Sequence, residues 1–300
     1  MRKPFLTVYG HVSIDQILSL KEFPKVNTSV DILTKKRYLG GTGANIATIA
    51  AALGTPTAIS SFVGDDFPDS YRLFMEAKGL NLEELITIEE EETSTALIIN
   101  NEEHDQITYF FQGPLGNADP KNVITMKAKE SEHVHFSTGN PRYYLRAMDE
   151  LQSSDAVTSL DPAQEAYRIW SSETFVPAIK NTDILFSNQH EMPSMLNYLG
   201  LQRVEDIPVK TIIMTKGAAG SMICIGGEMM EVPAIKADRV IDTTGAGDGF
   251  RAGLYSGLYR GYDITDAATI GAATASFIIE AKGALSQIPT WEQVLERANL

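Results

Sequence analysis

Asp248 closes the segment Asp242-Thr243-Thr244-Gly245-Ala246-Gly247-Asp248, and the helical run GFRAGLYSGLYRG follows at once. Three small residues ahead of a helix let the chain turn tightly and leave unpaired N–H groups converging on one point, where the helix dipole adds positive potential. Gly245, Ala246 and Gly247 are therefore a candidate anion hole, with Asp248 in the first helical turn beside it. A carboxylate there can take the proton from a hydroxyl that attacks a phosphate. The competing role is a helix cap, which Asp also favours. The flanking glycines tip the balance toward the base.

A second glycine-rich turn, Gly40-Gly41-Thr42-Gly43-Ala44-Asn45, opens a helix at about Ile46. Its third glycine position is filled by Ile46, so it is an incomplete dinucleotide fingerprint. It suits close approach of a polyhydroxylated ligand, with Asn45 able to donate to and accept from vicinal hydroxyls. Asp15 follows the first strand and can accept two hydroxyl hydrogen bonds. Thr215-Lys216-Gly217 follows another strand and could hold terminal phosphates, while Asn188 and Glu191, three apart at a strand-to-helix junction, suit a hydrated Mg²⁺ or a plain helix cap. His133 and His135 share a strand face without an evident third ligand, which makes packing the better account than zinc. Neither GAGDGF nor the 216–221 segment has the GxxxxGK[ST] spacing, so a P-loop kinase is excluded.

The elements that must carry these residues alternate along the chain. Apolar strand patterns at 6–9, 58–62, 133–137, 156–160, 184–187, 211–215 and 221–225 interleave with helical patterns at 44–53, 70–77, 143–151 and 191–199, and the pair 240–241 is also strand-like. Helices at 246–260, 264–279 and 291–298 end the chain. This rhythm predicts βαβ units around a mostly parallel sheet. Two polar, strand-like stretches break it, at about 13–38 and 93–113, the second a β-hairpin. Paired with each other they would form a discontinuous β lid over one domain spanning 1–300, able to exclude water from a reaction. The run 89–92 of four glutamates reads as a solvated turn.

Composition narrows the partners. The 300 residues are 43% hydrophobic and 21% charged, with a net charge of −14, the wrong sign for binding DNA, RNA or an anionic membrane surface. An acidic protein that binds phosphates must build its own local positive potential, which directs attention to the glycine turns. Cys224 is the single cysteine, so an intramolecular disulfide and a cysteine zinc site are excluded and a reducing, cytoplasmic location is expected. The apolar stretch near the N-terminus is too short for a signal peptide, and Gly54 and Pro56 interrupt the longest weakly polar run, so no membrane span is expected.

Together, Gly40 to Asn45, Asn188 and Glu191, Thr215 to Gly217 and DTTGAGD at 242–248 resemble the ribokinase family of carbohydrate and nucleoside kinases, also called the phosphofructokinase-B family. Within it, GHVSID, TGNP, DPAQE, NQHE and the segment from Ile270 to Trp291 are similar to archaeal nucleoside kinases of broad specificity. The resemblance implies a three-layer α/β/α, ribokinase-like fold with a β lid and phosphoryl transfer from ATP, with Mg²⁺, to a sugar hydroxymethyl group. It implies Asp248 as general base with Gly245, Ala246 and Gly247 as anion hole, and Asp15, Asp31, Gly41 and Asn45 around the acceptor. It places Asn188 and Glu191 near Mg²⁺ through water, and Asn188, Thr215, Lys216, Gly217 and Gly220 at the nucleotide. Members activated by K⁺ hold it between the DTT loop and a later loop, here Asp242, Thr244, Gly283 and Ser286.

The acceptor follows from the hairpin Thr108-Tyr109-Phe110-Phe111-Gln112, which offers an aromatic surface, with Phe110 for a base and Gln112 to read its polar edge. A nucleoside phosphorylated at the ribose 5′-hydroxyl is therefore expected, with ribokinase or a sugar-phosphate kinase as the alternative. Few arginines near the lid, Arg37 and Arg142 being the best placed, weigh against a phosphorylated acceptor. A non-catalytic nucleoside sensor would be expected to lose its base, yet Asp248 is present, and the incomplete glycine fingerprint argues against an NAD-dependent oxidoreductase. An exposed lid would also make a homodimer surface.

Overall fold

The computed structural model describes residues 3–103 and 105–300. The chain enters as β1 (Leu6–Tyr9), then runs through β2 (Ser13–Leu20) and β3 (Ile32–Gly40) before α1 (Thr42–Ala52), β4 (Thr57–Gly64), α2 (Asp69–Ala77) and β5 (Asn81–Ile88). A hairpin of β6 (Thr95–Asn100) and β7 (Gln106–Phe111) leads into the short helices α3 (Gly113–Gly116) and α4 (Met126–Glu130). Alternation then resumes with β8 (His133–Phe136), α5 (Pro141–Leu151), β9 (Val157–Leu160), α6 (Ser172–Lys180), β10 (Ile184–Asn188), α7 (Met192–Leu199) and β11 (Thr211–Thr215). The hairpin β12 (Ser221–Ile225) and β13 (Glu228–Val232) precedes α8 (Ala246–Tyr259), α9 (Ile264–Ile278) and α10 (Trp291–Ala298).

Nine strands form the main sheet in the order β13-β12-β11-β10-β9-β8-β1-β4-β5, parallel except at the β12–β13 end. From β1 the chain first builds outward through β4 and β5 and then, from β8, in the opposite direction, which puts a topological switch between β1 and β8. Ligand crevices in such sheets open at the carboxyl ends of the strands at that switch. One face is covered by α1, α2, α8, α9 and α10 over a core including Leu6, Ile46, Ile59 and Leu254, and the other by α5, α6 and α7 over Tyr9, Phe136, Phe175 and Leu185. The three-layer expectation holds. Gly249, Gly253 and Gly257 let α8 and α9 approach so closely that a Cβ on Gly253 would lie 2.3 Å from Thr274 Oγ1.

Several details differ from the sequence pattern. β5 and β13 are edge strands whose polar, partly exposed residues hide the alternation, and β13 is joined to β12 through Gly226-Gly227, a two-residue turn with φ of 59° and 89°. The strand-like pair Val240 and Ile241 forms no strand; both side chains are exposed and Ile241 N–H donates to the carbonyl of Ile279. α6 escapes the pattern because it is short and holds Pro177, and α1 begins at Thr42 rather than near Ile46 because Gly41 forms its N-cap. The 89–92 glutamates do form a largely exposed turn segment. Among the described residues no helix is long and apolar enough to cross a membrane.

The two interrupting stretches pair as expected into a separate four-stranded sheet, β3-β2-β6-β7, in which β2 and β6 run parallel. Registration puts Tyr38, Asp15, Ala96 and Phe110 in one row across its four strands. Leu97, Ile99, Ile107, Tyr109 and Phe111 lie at the alternate positions and so on the opposite face. Tyr109 and Phe111 are 60% and 50% exposed there.

Candidate active site

Two helix N-termini meet at the carboxyl end of β1. Gly41, with φ of +94°, caps α1 where a Cβ would stand 2.2 Å from the carbonyl oxygen of His11, so only glycine lets that helix begin against the β1 loop. Gly245, at φ +78°, caps α8 in the left-handed region, and its own Cβ would collide with that of Ala284 at 2.3 Å. Ala246, Gly247 and Asp248 make the first turn of α8. Asp248 makes no capping bond: its Oδ2 accepts from Asn45 Nδ2 at 2.7 Å, which joins the two helix starts and removes the cap as its explanation. Asn45 Oδ1, buried, has no partner and is free to accept from a ligand hydroxyl.

The carboxylates around this junction are held in unusual states. Burial pushes the Asp248 carboxyl up to about 6, with the nearby Asp161 and Asp15 carboxylates adding to the rise and Asn45 and Arg251 opposing it. Near neutral pH such a group is mostly ionised and still basic enough to take a proton. Asp15 is raised by burial against the hydrogen bond it accepts from Ser13 Oγ at 2.7 Å. It stands against Gly40, whose lack of a side chain leaves room for its carboxylate.

Asp15 and Asn45 open into a cleft of about 460 Å³ between the row-bearing face of the small sheet, through Ile17, Ile98 and Asn100, and the loops at 241–244 and 282–284. Farther along the row, Phe110 meets the His11 ring edge-on at 5.1 Å between centroids. Gln112 Nε2 donates to Glu165 Oε1 at 3.0 Å, and Gly139 N–H donates to Glu165 Oε2 at 2.7 Å. Burial raises Glu165 to about 7, opposed by Gln112, Gly139 and Arg168. Gln112 Oε1 and His11 Nε2 are buried without partners. A larger hollow, lined by 129–133 and 153–157, lies at the amino ends of β8 and β9, away from this chemistry.

The remaining candidate residues fall into three groups. At the end of β10, Glu191 accepts from Asn188 N–H at 2.8 Å and from Asn188 Nδ2 at 2.6 Å, and burial lifts its carboxyl to about 7 with Asp161 adding to the rise. Asp242 joins the two loops at the foot of α8, accepting from Thr244 N–H and Gly283 N–H at 3.0 Å each, while Ser286 Oγ donates to the Lys282 carbonyl. Thr215 pairs with Asn188 across β10 and β11, but Lys216 Nζ turns to Glu231 at 3.0 Å. Gly217 lies in open space, and Gly220 is a turn residue whose Cβ would strike the Val232 carbonyl at 2.2 Å. Asp31 is exposed just before β3, at the far end of the small sheet from the row holding Asp15. His133 and His135 pack against Tyr255, and no His, Cys, Asp and Glu cluster fit for a metal occurs among the described residues.

The model of the pfkB family of carbohydrate kinases matches residues 3–291. The chain belongs to that family. It is 38% identical over 298 residues to a nucleoside kinase of Methanocaldococcus jannaschii, covering 97% of this chain and 96% of the relative. It is 32% identical over 295 residues to a nucleoside kinase of Methanothermobacter thermautotrophicus, covering 97% and 94%. The crystal structure of the M. jannaschii nucleoside kinase, an archaeal member of the ribokinase family, superposes with a TM-score of 0.90 at 36% identity over 100% of this chain and 99% of that one. The ribokinase-family resemblance of the sequence is thereby confirmed, and the protein is a phosphotransferase acting on hydroxyl groups.

Sequence reasoning about this kinase missed Asp161, Arg251, Glu165 and His11 as site residues. Each had a signal: an Asp-Pro at a strand end, an arginine inside an apolar helix, a glutamate four residues past that aspartate, and a histidine two residues after the end of β1. What no local pattern supplies is that these signals converge.

Proposed function

We propose that this kinase transfers the γ-phosphoryl group of ATP, with Mg²⁺, to the ribose 5′-hydroxyl of a nucleoside. The observation that carries this reading is the row Asp15, Ala96, Phe110. Adjacent strands lie about 4.8 Å apart, so the carboxylate and the ring rise from positions about 10 Å apart with only a small alanine between them. That spacing suits a sugar beside Asp15 and a flat base against Phe110, and a free sugar would leave the aromatic end unused. The nucleoside kinase names of both archaeal relatives agree.

In this mechanism Asp15 and the free Oδ1 of Asn45 hold the ribose hydroxyls, as the ordinary hydrogen-bonding capacities of carboxylate and amide allow. Asp248 takes the proton of the attacking hydroxyl, and the N–H groups of Gly245, Ala246 and Gly247 with the α8 dipole stabilise charge on the phosphoryl oxygens. Asn188, Thr215 and Gly217 line the approach of the donor phosphates. The small sheet closes as a lid and excludes water. Mg²⁺, when bound, neutralises charge on the donor phosphates. Glu191 fits a water-mediated contact with it, because both its oxygens already accept from Asn188 yet each keeps a further lone pair. A K⁺ ion would be held by Asp242, Thr244, Gly283 and Ser286, on the two loops that Asp242 ties together through the Thr244 and Gly283 N–H groups.

The apolar outer face of the lid, with Tyr109 and Phe111, supports a homodimer through that face. The net charge of −14 argues against DNA, RNA or membrane partners, and a lone buried cysteine suits the cytoplasm. The decisive experiment is end-point phosphorylation with Mg·ATP and K⁺ across nucleosides, ribose, fructose and fructose phosphates, with Asp248→Asn as control. Turnover of nucleosides and not of free sugars supports the reading; turnover of a sugar alone makes this a sugar kinase, and no turnover favours a nucleoside sensor.

A further inference from the structure

Beneath the anion-hole turn lies an ion pair that the mechanism above does not use. Asp161 is fully buried at the end of β9 and Arg251, 5% exposed, is in the second turn of α8. Arg251 Nη2 donates to Asp161 Oδ1 at 3.0 Å and Arg251 Nε donates to Oδ2, a two-pronged contact. The third nitrogen, Nη1, donates to the carbonyl oxygen of Gly247 at 3.1 Å. Behind the pair, His135 Nε2 sits 3.4 Å from Asp161 Oδ2, His135 Nδ1 is 2.9 Å from the Tyr255 hydroxyl, and that hydroxyl donates to Ser159 Oγ at 2.8 Å. Phe186 lies under the guanidinium at 5.4 Å. Buried ion pairs add little net stability, because desolvation cancels much of the attraction, so stability alone is a weak reason for this one.

We propose that Arg251 is a positioning residue for phosphoryl transfer: locked by Asp161, it pins the first turn of α8 through the Gly247 carbonyl and sets a permanent positive charge beside Asp248 and the anion hole. The inference rests on Asp248 being the base. The charged groups that act on Asp248 are Arg251, which favours its ionised form, and Asp161 and Asp15, which oppose it, with Asn45 donating a neutral hydrogen bond. Glu191 acts on Arg251 from the β10 end. The positive charge is secure: burial opposes it, but Asp161, joined by Glu191 and Asp248, more than offsets burial and holds the guanidinium above its ordinary range.

The test is the pH dependence of kcat/KM between pH 5 and 9 for wild type, Arg251→Met and the double variant Arg251→Met with Asp161→Asn. Removing one nearby opposite charge moves a carboxylate by about one pH unit or more, so Arg251→Met should shift the acid limb upward and lose at least about fivefold more activity at pH 6 than at pH 8.5. The double variant removes charges of opposite effect together, and its limb should return toward that of wild type. A purely structural role predicts no such return. An unmoved limb in folded Arg251→Met, or a double variant shifted as far as the single one, overturns the proposal. Should Arg251→Met not fold, Arg251→Lys decides: it keeps the charge without the fork, so kcat should fall at every pH with the limb in place, and a wild-type kcat overturns the proposal. Asp248→Asn in the same assay separates the two levels. Normal turnover there defeats the base assignment itself, whereas loss of turnover with an unmoved Arg251→Met limb defeats only this inference.

Discussion

Replacing Gly40 by alanine should disable acceptor binding without touching the base, the anion hole or the fold. Gly40 ends β3 opposite Ser13 of β2, and its φ lies outside the left-handed region, so an alanine takes the same backbone without strain. The added Cβ, however, would stand 2.2 Å from both Cγ and Oδ2 of Asp15 and 2.4 Å from Oδ1. The carboxylate must rotate away, breaking its 2.7 Å bond from Ser13 and leaving the place where it meets the ribose hydroxyls. A hydrogen bond to a charged group contributes about 1.5–3 kcal/mol, so losing two to the acceptor removes about 3–6 kcal/mol. At about 1.4 kcal/mol per tenfold, kcat/KM for the nucleoside should fall by about two to four orders of magnitude. Steady-state kinetics with nucleoside and ATP varied in turn read the effect, and thermal melting reports the fold. KM for ATP should stay within about twofold and the melting temperature within a few degrees. A folded Gly40→Ala enzyme whose nucleoside kcat/KM lies within about threefold of wild type would refute the placement of the acceptor beside Asp15.

Three further changes probe separate parts of the site. Asp248→Asn should lower kcat by about 10²–10⁴-fold, and the wild-type kcat/KM should fall about tenfold per unit below pH 6, where its carboxyl titrates. The folded value lies above the unfolded one, so the neutral carboxyl stabilises the fold below about pH 4 and that stabilisation is lost as pH rises through about 6; Asp248→Asn should melt higher than wild type at pH 8 and alike at pH 4. Glu165→Gln must turn one amide hydrogen toward Gln112, which flips and presents N–H instead of its unpartnered Oε1. The kcat/KM preference for bases with a ring N–H over adenosine should then fall about tenfold, one unmade buried hydrogen bond, and an unchanged ratio across inosine, guanosine and adenosine would remove Gln112 and Glu165 from base recognition. Gly245→Ala sets a Cβ 2.3 Å from Ala284 at φ +78°, which should separate the loops holding Asp242 and Gly283. Stability should drop by about 1–3 kcal/mol and any stimulation by K⁺ over Na⁺ or choline should vanish with it; equal wild-type rates in all three cations would already exclude the K⁺ site.

The amino-acid sequence by itself determined the mostly parallel α/β class, the separate small sheet and the place of Asp248 in the first turn of a helix behind three small residues. These rest on local physics. Apolar runs of strand length alternate with helical spacing, and three small residues before a helix make an anion hole wherever they occur. The edge strands β5 and β13 were not legible, because an edge strand does not need a buried face and so carries no alternation. Val240 and Ile241 misled for the converse reason, being β-branched residues with no neighbour to pair with. Only the tertiary structure decided which polar residues share one place. It bonded Asn45 to Asp248 across 203 residues, which settled that Asp248 is not a cap. It turned Lys216 toward Glu231, set Asp31 apart from the row of Asp15, and brought Arg251 onto Asp161 across 90 residues. Such pairings depend on where strand ends fall in the sheet order β9-β8-β1, and a window of neighbouring residues holds no information about that order.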